Sequence, residues 1–159
     1  MARVSLLLII LLLSVAAFIS CLKSSGSGCH YVDIPASLFF LPKHDGERLS
    51  DDVLNTITIS YMDNGSKKKV TDVMRATEEG RALGVMTTRD IGALSADHNI
   101  KTFYIEYTSL PTDTIYVDYS PPNPSTGCIY ARNLVKYNNQ TVLPDPAITA
   151  QTVYVFNKP

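Results

Sequence analysis

Short stretches of the chain alternate apolar and polar residues at period two, and turn signals separate them. Thr56-Ile57-Thr58-Ile59-Ser60-Tyr61 does this and predicts a half-buried strand. Asp63-Asn64-Gly65 follows, a hairpin signal because Asn-Gly accepts positive φ. Residues 67–73 are the expected return strand. Its triple lysine, Lys67, Lys68 and Lys69, reads as a solvated edge that discourages edge-to-edge pairing, with a binding patch as the rival reading. Phe103, Ile105 and Tyr107 share one face of a further strand, and Ile115, Val117 and Tyr119 share one face of the next. These two runs are expected to pair antiparallel.

Pro121-Pro122-Asn123-Pro124 stops the sheet in a stiff exposed loop. Residues 129–137 predict another strand, with the turn Asn138-Asn139-Gln140 after it, and residues 153–156 the last one. An earlier strand is expected over residues 30–34, with the apolar run 38–41 beside it. Only two segments invite a helix. Residues 77–83 could form a turn or two capped by Thr77, and residues 50–54 a single turn. Seven to eight short strands with turns between them predict an all-β fold, an antiparallel β-sandwich of immunoglobulin-like or similar kind.

The front of the chain breaks this pattern. Of the first 20 residues 16 are apolar, and from Cys21 onward 56 of 139, about 40%. Arg3 precedes an unbroken apolar run over residues 6–13, which resumes over 15–19 and ends at Ser20. This is the layout of a secretory signal. A membrane span takes about 20 apolar residues, so the run is short for one. Expected boundaries are a signal peptide at 1–20, a tether at 21–28 and one domain at 29–159.

Phe18-Ile19-Ser20-Cys21 resembles the lipobox of bacterial lipoproteins, in which a small residue precedes the cysteine that is acylated. It departs from the commonest form by carrying Phe18 where Leu is usual. Lys23-Ser24-Ser25-Gly26-Ser27-Gly28 has the composition of a flexible tether. The resemblance is to small, uncharacterised Gram-negative envelope lipoproteins. It implies export, lipidation at Cys21 and attachment to a membrane through the N-terminal lipid. Acidic residues often follow the cysteine in lipoproteins that reach the surface, whereas Leu22, Lys23 and Ser24 stand here. The expected location is therefore the outer membrane facing the periplasm, with surface exposure as the alternative.

Cysteine parity fits this picture. With Cys21 lipidated, Cys29 and Cys128 remain, and three readings stay open for them. They form one disulfide, or two buried thiols, or a metal site with His30. The last lacks the local pair spacing of a zinc site.

A formal net charge of −1 argues against a nucleic-acid partner. No Gly-rich phosphate loop, His-Glu-x-x-His or Gly-x-Ser-x-Gly is present, so no catalytic residue, cofactor or metal is assigned. His44 with Asp45, and His98 with Asp97, sit in turn-like contexts. Asp63, Asn64 and Asp72 are the nearest approach to a calcium cluster but lack EF-hand spacing. Asn64-Gly65-Ser66 and Asn139-Gln140-Thr141 match the N-glycosylation acceptor. Asp113-Thr114-Ile115 resembles the O-glycosylation site of some Gram-negative envelope proteins, with Thr114 as acceptor.

The expected function is a non-catalytic binding module for an envelope protein or glycan. A subunit or accessory of a surface fibre is the alternative. A small envelope hydrolase built on His30 or His98 ranks third.

Overall fold

A computed structural model describes residues 29, 36–76, 84–148 and 152–159. The strands among them, in chain order, are β1 (Leu38–His44), β2 (Glu47–Arg48), β3 (Thr58–Asp63), β4 (Ser66–Lys69), β5 (Met74–Arg75), β6 (Met86–Thr88), β7 (Thr102–Glu106), β8 (Asp113–Ser120), β9 (Ala131–Tyr137), β10 (Gln140–Thr141) and β11 (Val153–Lys158). Two helices are described, α1 (Asp51–Leu54) and α2 (Asp90–His98). The strands form two sheets packed face to face, an all-β sandwich. One sheet has the order β10-β9-β8-β7-β3-β4, and the other β11-β1-β6-β5 with β2 paired to β1.

Period-two patterning places the core. In β8, Asp113, Ile115, Val117 and Tyr119 are buried and the residues between them are half-exposed. Phe103 and Ile105 of β7 and Ile59 of β3 continue that inner face. The opposite sheet supplies Leu38, Phe40 and Phe156, all fully buried. Three rings join the layers: Phe40 stacks on Phe156 at 5.3 Å, and Phe156 on Tyr137 at 4.9 Å.

The structure departs from the expectations in five places. The sheets are not wholly antiparallel, because β1 and β11 run parallel, with Phe40 opposite Tyr154. Period-two patterning carries no direction, so it cannot distinguish the two pairings. Residues 38–44 are themselves a strand rather than an accompaniment to one; residues 30–34 lie outside those described. Eleven strands are described instead of seven or eight, and β2, β5, β6 and β10 are only two or three residues long. The return strand stops at Lys69 and does not continue to residue 73.

The fifth departure is α2. Its sequence, with a glycine in the first turn and few apolar residues, gives no sustained stripe. Tertiary contacts hold it instead. A Cβ on Gly92 would lie 2.1 Å from the Ala36 Cβ and 2.3 Å from its carbonyl oxygen, so only glycine permits this approach. The Ser95 hydroxyl donates to the Val117 carbonyl (2.9 Å) and accepts from the Tyr119 amide (3.0 Å). These are backbone groups at the register shift of β8 between Asp118 and Tyr119. The Asp72 carboxylate accepts from the Arg89 amide, from the Asp90 amide (3.2 Å) and from the Thr88 hydroxyl (2.7 Å). It thereby caps α2 from another loop.

Two smaller expectations match the structure. The single turn expected over residues 50–54 is α1, and Ser50 caps it, its hydroxyl accepting from the Val53 amide at 3.4 Å. The lysine strand β4 is an outer strand with all four residues exposed. Lys67 pairs with Glu106 at 2.6 Å, and Lys68 with Asp63. The helix expected over residues 77–83 lies outside the described residues.

Candidate functional site

Each end of the sandwich carries one feature of chemical interest. At the end where β8 passes into β9, Cys29 and Cys128 are joined as a disulfide, with Cα atoms 5.3 Å apart and a sequence separation of 99. The local chain is shaped for it. After the single 3-10 turn Pro124–Thr126, Gly127 (φ 72°) and Cys128 (φ 59°) both turn left-handed. The Cys128 amide then bonds back to the Asn123 carbonyl at 2.9 Å. In this bonded form the two sulfurs are neither free thiols nor metal ligands. Cys21 and His30 lie outside the described residues.

The opposite end holds a buried ionic cluster. The Asp113 carboxylate, 3% exposed, accepts from Lys158 Nζ (2.8 Å), Tyr137 Oη (2.7 Å) and Asn138 Nδ2 (2.9 Å). Lys158 also donates to the Pro111 carbonyl, and its ammonium lies 5.3 Å from the centre of the Tyr107 ring. Burial pushes the Asp113 carboxyl up, but the bonds from Lys158, Asn138 and Tyr137 outweigh it and hold the group below its ordinary value. The Tyr137 hydroxyl is pushed up, first by burial and then by the Asp113 bond, and Tyr107 is raised first by burial and then by the Asp113 charge. Both phenols therefore keep their protons and can donate. Each charged group in the cluster is engaged by another, so the arrangement holds protons in place.

Clefts open beside this cluster and elsewhere on the surface. One of about 340 Å³ is lined by Tyr137, Asn138, Gln140, Asn157 and Pro159. Another of about 220 Å³ lies between α1 and the segment after β7, against Val53, Thr56 and Thr108. A third, of about 310 Å³, runs along α2 past Tyr61, Leu94 and His98. These volumes lie near the lower end of the range usual for small-ligand sites.

The other candidate residues do not converge. His44 sits at the β1–β2 turn beside Asp45, 3.7 Å away, with 42% of its side chain exposed. His98 ends α2 and lines the third cleft with Asp90, eight residues and about 12 Å earlier along the axis. Asp97 accepts from the Tyr130 hydroxyl. Asp63 is held by Lys68 and Asn64, while Asp72 caps α2, so the calcium cluster is not assembled. Among the described residues no group of three His, Cys, Asp or Glu could hold a metal ion. Thr114 is half-buried on the outer face of β8 opposite Tyr104, and its backbone bonds to Asn138 in both directions. Asp113 of the same motif points inward to the cluster. Asn64 and Asn139 occupy left-handed turn positions.

Sequence reasoning missed Lys158 and Arg132. A single lysine in a terminal strand carries no signal of burial. Arg132 lies between the Tyr119 and Tyr154 rings, at 5.6 and 5.1 Å, and its Nε donates to the Tyr119 hydroxyl at 2.8 Å. Its only sequence signal was position in a strand next to a tyrosine-rich one.

No known family model matches the chain, and no curated protein or solved structure matches it.

Proposed function

We propose that this chain is an exported bacterial lipoprotein, acylated at Cys21, whose single β-sandwich is a non-catalytic binding module in the cell envelope. Its partner is an envelope protein or a glycan, and its location is the outer membrane on the periplasmic side. The observation that carries the reading is the Cys29–Cys128 bridge. Disulfides persist in oxidising compartments such as the periplasm. The bridge also uses two of the three cysteines and leaves Cys21, the one behind the apolar run, for the lipid. Two arrangements favour binding over catalysis. His44 and His98 stand on separate exposed elements, and Asp113 and Lys158 are committed to each other.

Intact-mass measurement of the membrane-derived protein tests the reading. Expected are loss of residues 1–20, acyl groups on Cys21, and a mass two hydrogens below the reduced chain from the bridge. Cys21→Ala should move the protein to the soluble fraction. A mature chain with Cys21 as a free thiol overturns the proposal.

A further inference from the structure

The two ends of the sandwich differ in their covalent distance from Cys21. Ser120 pairs with Ala131, so the β8–β9 connection that holds Cys128 lies at the far end of β8 from Asp113. Two independent contacts bring the N-terminal side of the domain to that same end. One is the bridge itself, at Cys29. The other is Ser37, just before β1, whose carbonyl accepts from the Tyr119 hydroxyl (3.2 Å) and from Arg132 (3.4 Å). The opposite end carries the Asp113–Lys158 cluster, the turn at Asp45, whose amide bonds the Lys158 carbonyl, and the clefts at Asn138 and Thr108. Eight residues of β8 separate the two ends by about 23 Å.

We infer that the Cys128 end of the domain faces the lipid bilayer and that the Asp113 end, with its two clefts, points away from it. The inference rests on the lipid-anchor reading. Its physical basis is reach. From Cys21 to Cys29 there are eight peptide steps, which span at most about 29 Å fully extended. The next described packing contact along the chain is Ala36 against Gly92, fifteen peptide steps from Cys21, for which the limit is about 54 Å. The bridge therefore halves the leash and keeps one end of the sandwich nearer the membrane than the other.

The chain contains no Trp, so single introduced tryptophans are clean reporters. Ser125→Trp and Ser66→Trp mark the near end at exposed sites, and Gln140→Trp and Thr108→Trp mark the far end. The membrane-derived full-length protein is reconstituted into vesicles carrying a dansyl headgroup lipid, and energy transfer from each tryptophan is read. Transfer from both near-end reporters should exceed that from both far-end reporters severalfold. In a Cys29→Ser/Cys128→Ser background the near-end signal should fall. Equal transfer from the two ends, or stronger transfer from Gln140→Trp and Thr108→Trp, overturns the inference. The intact mass of the same samples separates the two ideas. Acyl groups on Cys21 with equal transfer overturn only the orientation, and their absence overturns the lipid anchor together with it.

Discussion

Replacing Lys158 by Met should unfold this domain more readily than any surface change, because it strands the Asp113 carboxylate. Asp113 is 3% exposed and Lys158 8% exposed, so neither charge can be re-solvated without opening the sandwich. Removing one member of a buried pair typically costs about 3–5 kcal/mol, since the other remains as an uncompensated charge. Tyr137 and Asn138 still donate to Asp113 in the variant, which favours the lower part of that range. Against a total stability of about 5–15 kcal/mol this is a large fraction. Asp113→Asn should cost a similar amount by stranding the ammonium. The double variant should cost less than the sum of the singles, by about 1–3 kcal/mol, because it leaves no lone charge. Urea unfolding with the disulfide intact measures all four proteins.

The pH dependence gives a second readout of the same pair. The folded-state pKa of Asp113 lies below its ordinary value of 3.8, so its contribution is present above that value and is lost as pH falls through the lowered one. Asp113→Asn should flatten the acid limb of the stability curve. A Lys158→Met cost below about 1 kcal/mol, in the range of exposed pairs, or strict additivity in the double variant, would refute the reasoning.

Gly92→Ala should destabilise by about 1–3 kcal/mol through overlap with Ala36, although alanine is the better helix former by about 1 kcal/mol; a rise in melting temperature would show that the close approach is not required. Ser95→Ala should cost about 1–3 kcal/mol by orphaning the Val117 carbonyl and the Tyr119 amide, and hydrogen exchange at Tyr119 should accelerate. Cys29→Ser/Cys128→Ser should lose about 4–5 kcal/mol, as the chain-entropy account assigns to a loop of roughly 100 residues. Reducing the native protein should shift its urea midpoint by the same amount.

Much of the six-stranded sheet was legible beforehand. Residues 56–61, 103–107 and 114–119 alternate cleanly because one face of each strand meets the core and the other meets solvent. Asn64-Gly65 and Asn138-Asn139 mark their turns because these residues tolerate the positive φ found there. The five-stranded sheet was harder to read. In β1 three consecutive residues, Phe40, Leu41 and Pro42, are buried, so the alternation fails. Helix α2 was invisible for a different reason. Its stabilising groups, Asp72, Ala36 and the β8 backbone, are remote in sequence.

The candidate site divides in the same way. The pairing of Cys29 with Cys128 was one of three open readings, since spacing alone does not bring two sulfurs together. In the sequence Asp113 stands out only as a neighbour of Thr114, and Lys158 not at all.

Taken alone, the sequence determined what depends on local order: the apolar N-terminal run, the cysteine beside it, the strand faces, the turns and the charge that argues against nucleic acid. Tertiary structure alone decided the direction of β11 against β1, the burial of Lys158 on Asp113 and the end of the sandwich to which Cys29 is tied. Those features depend on contacts between residues 45 to 114 positions apart, and no local pattern encodes a partner at that distance.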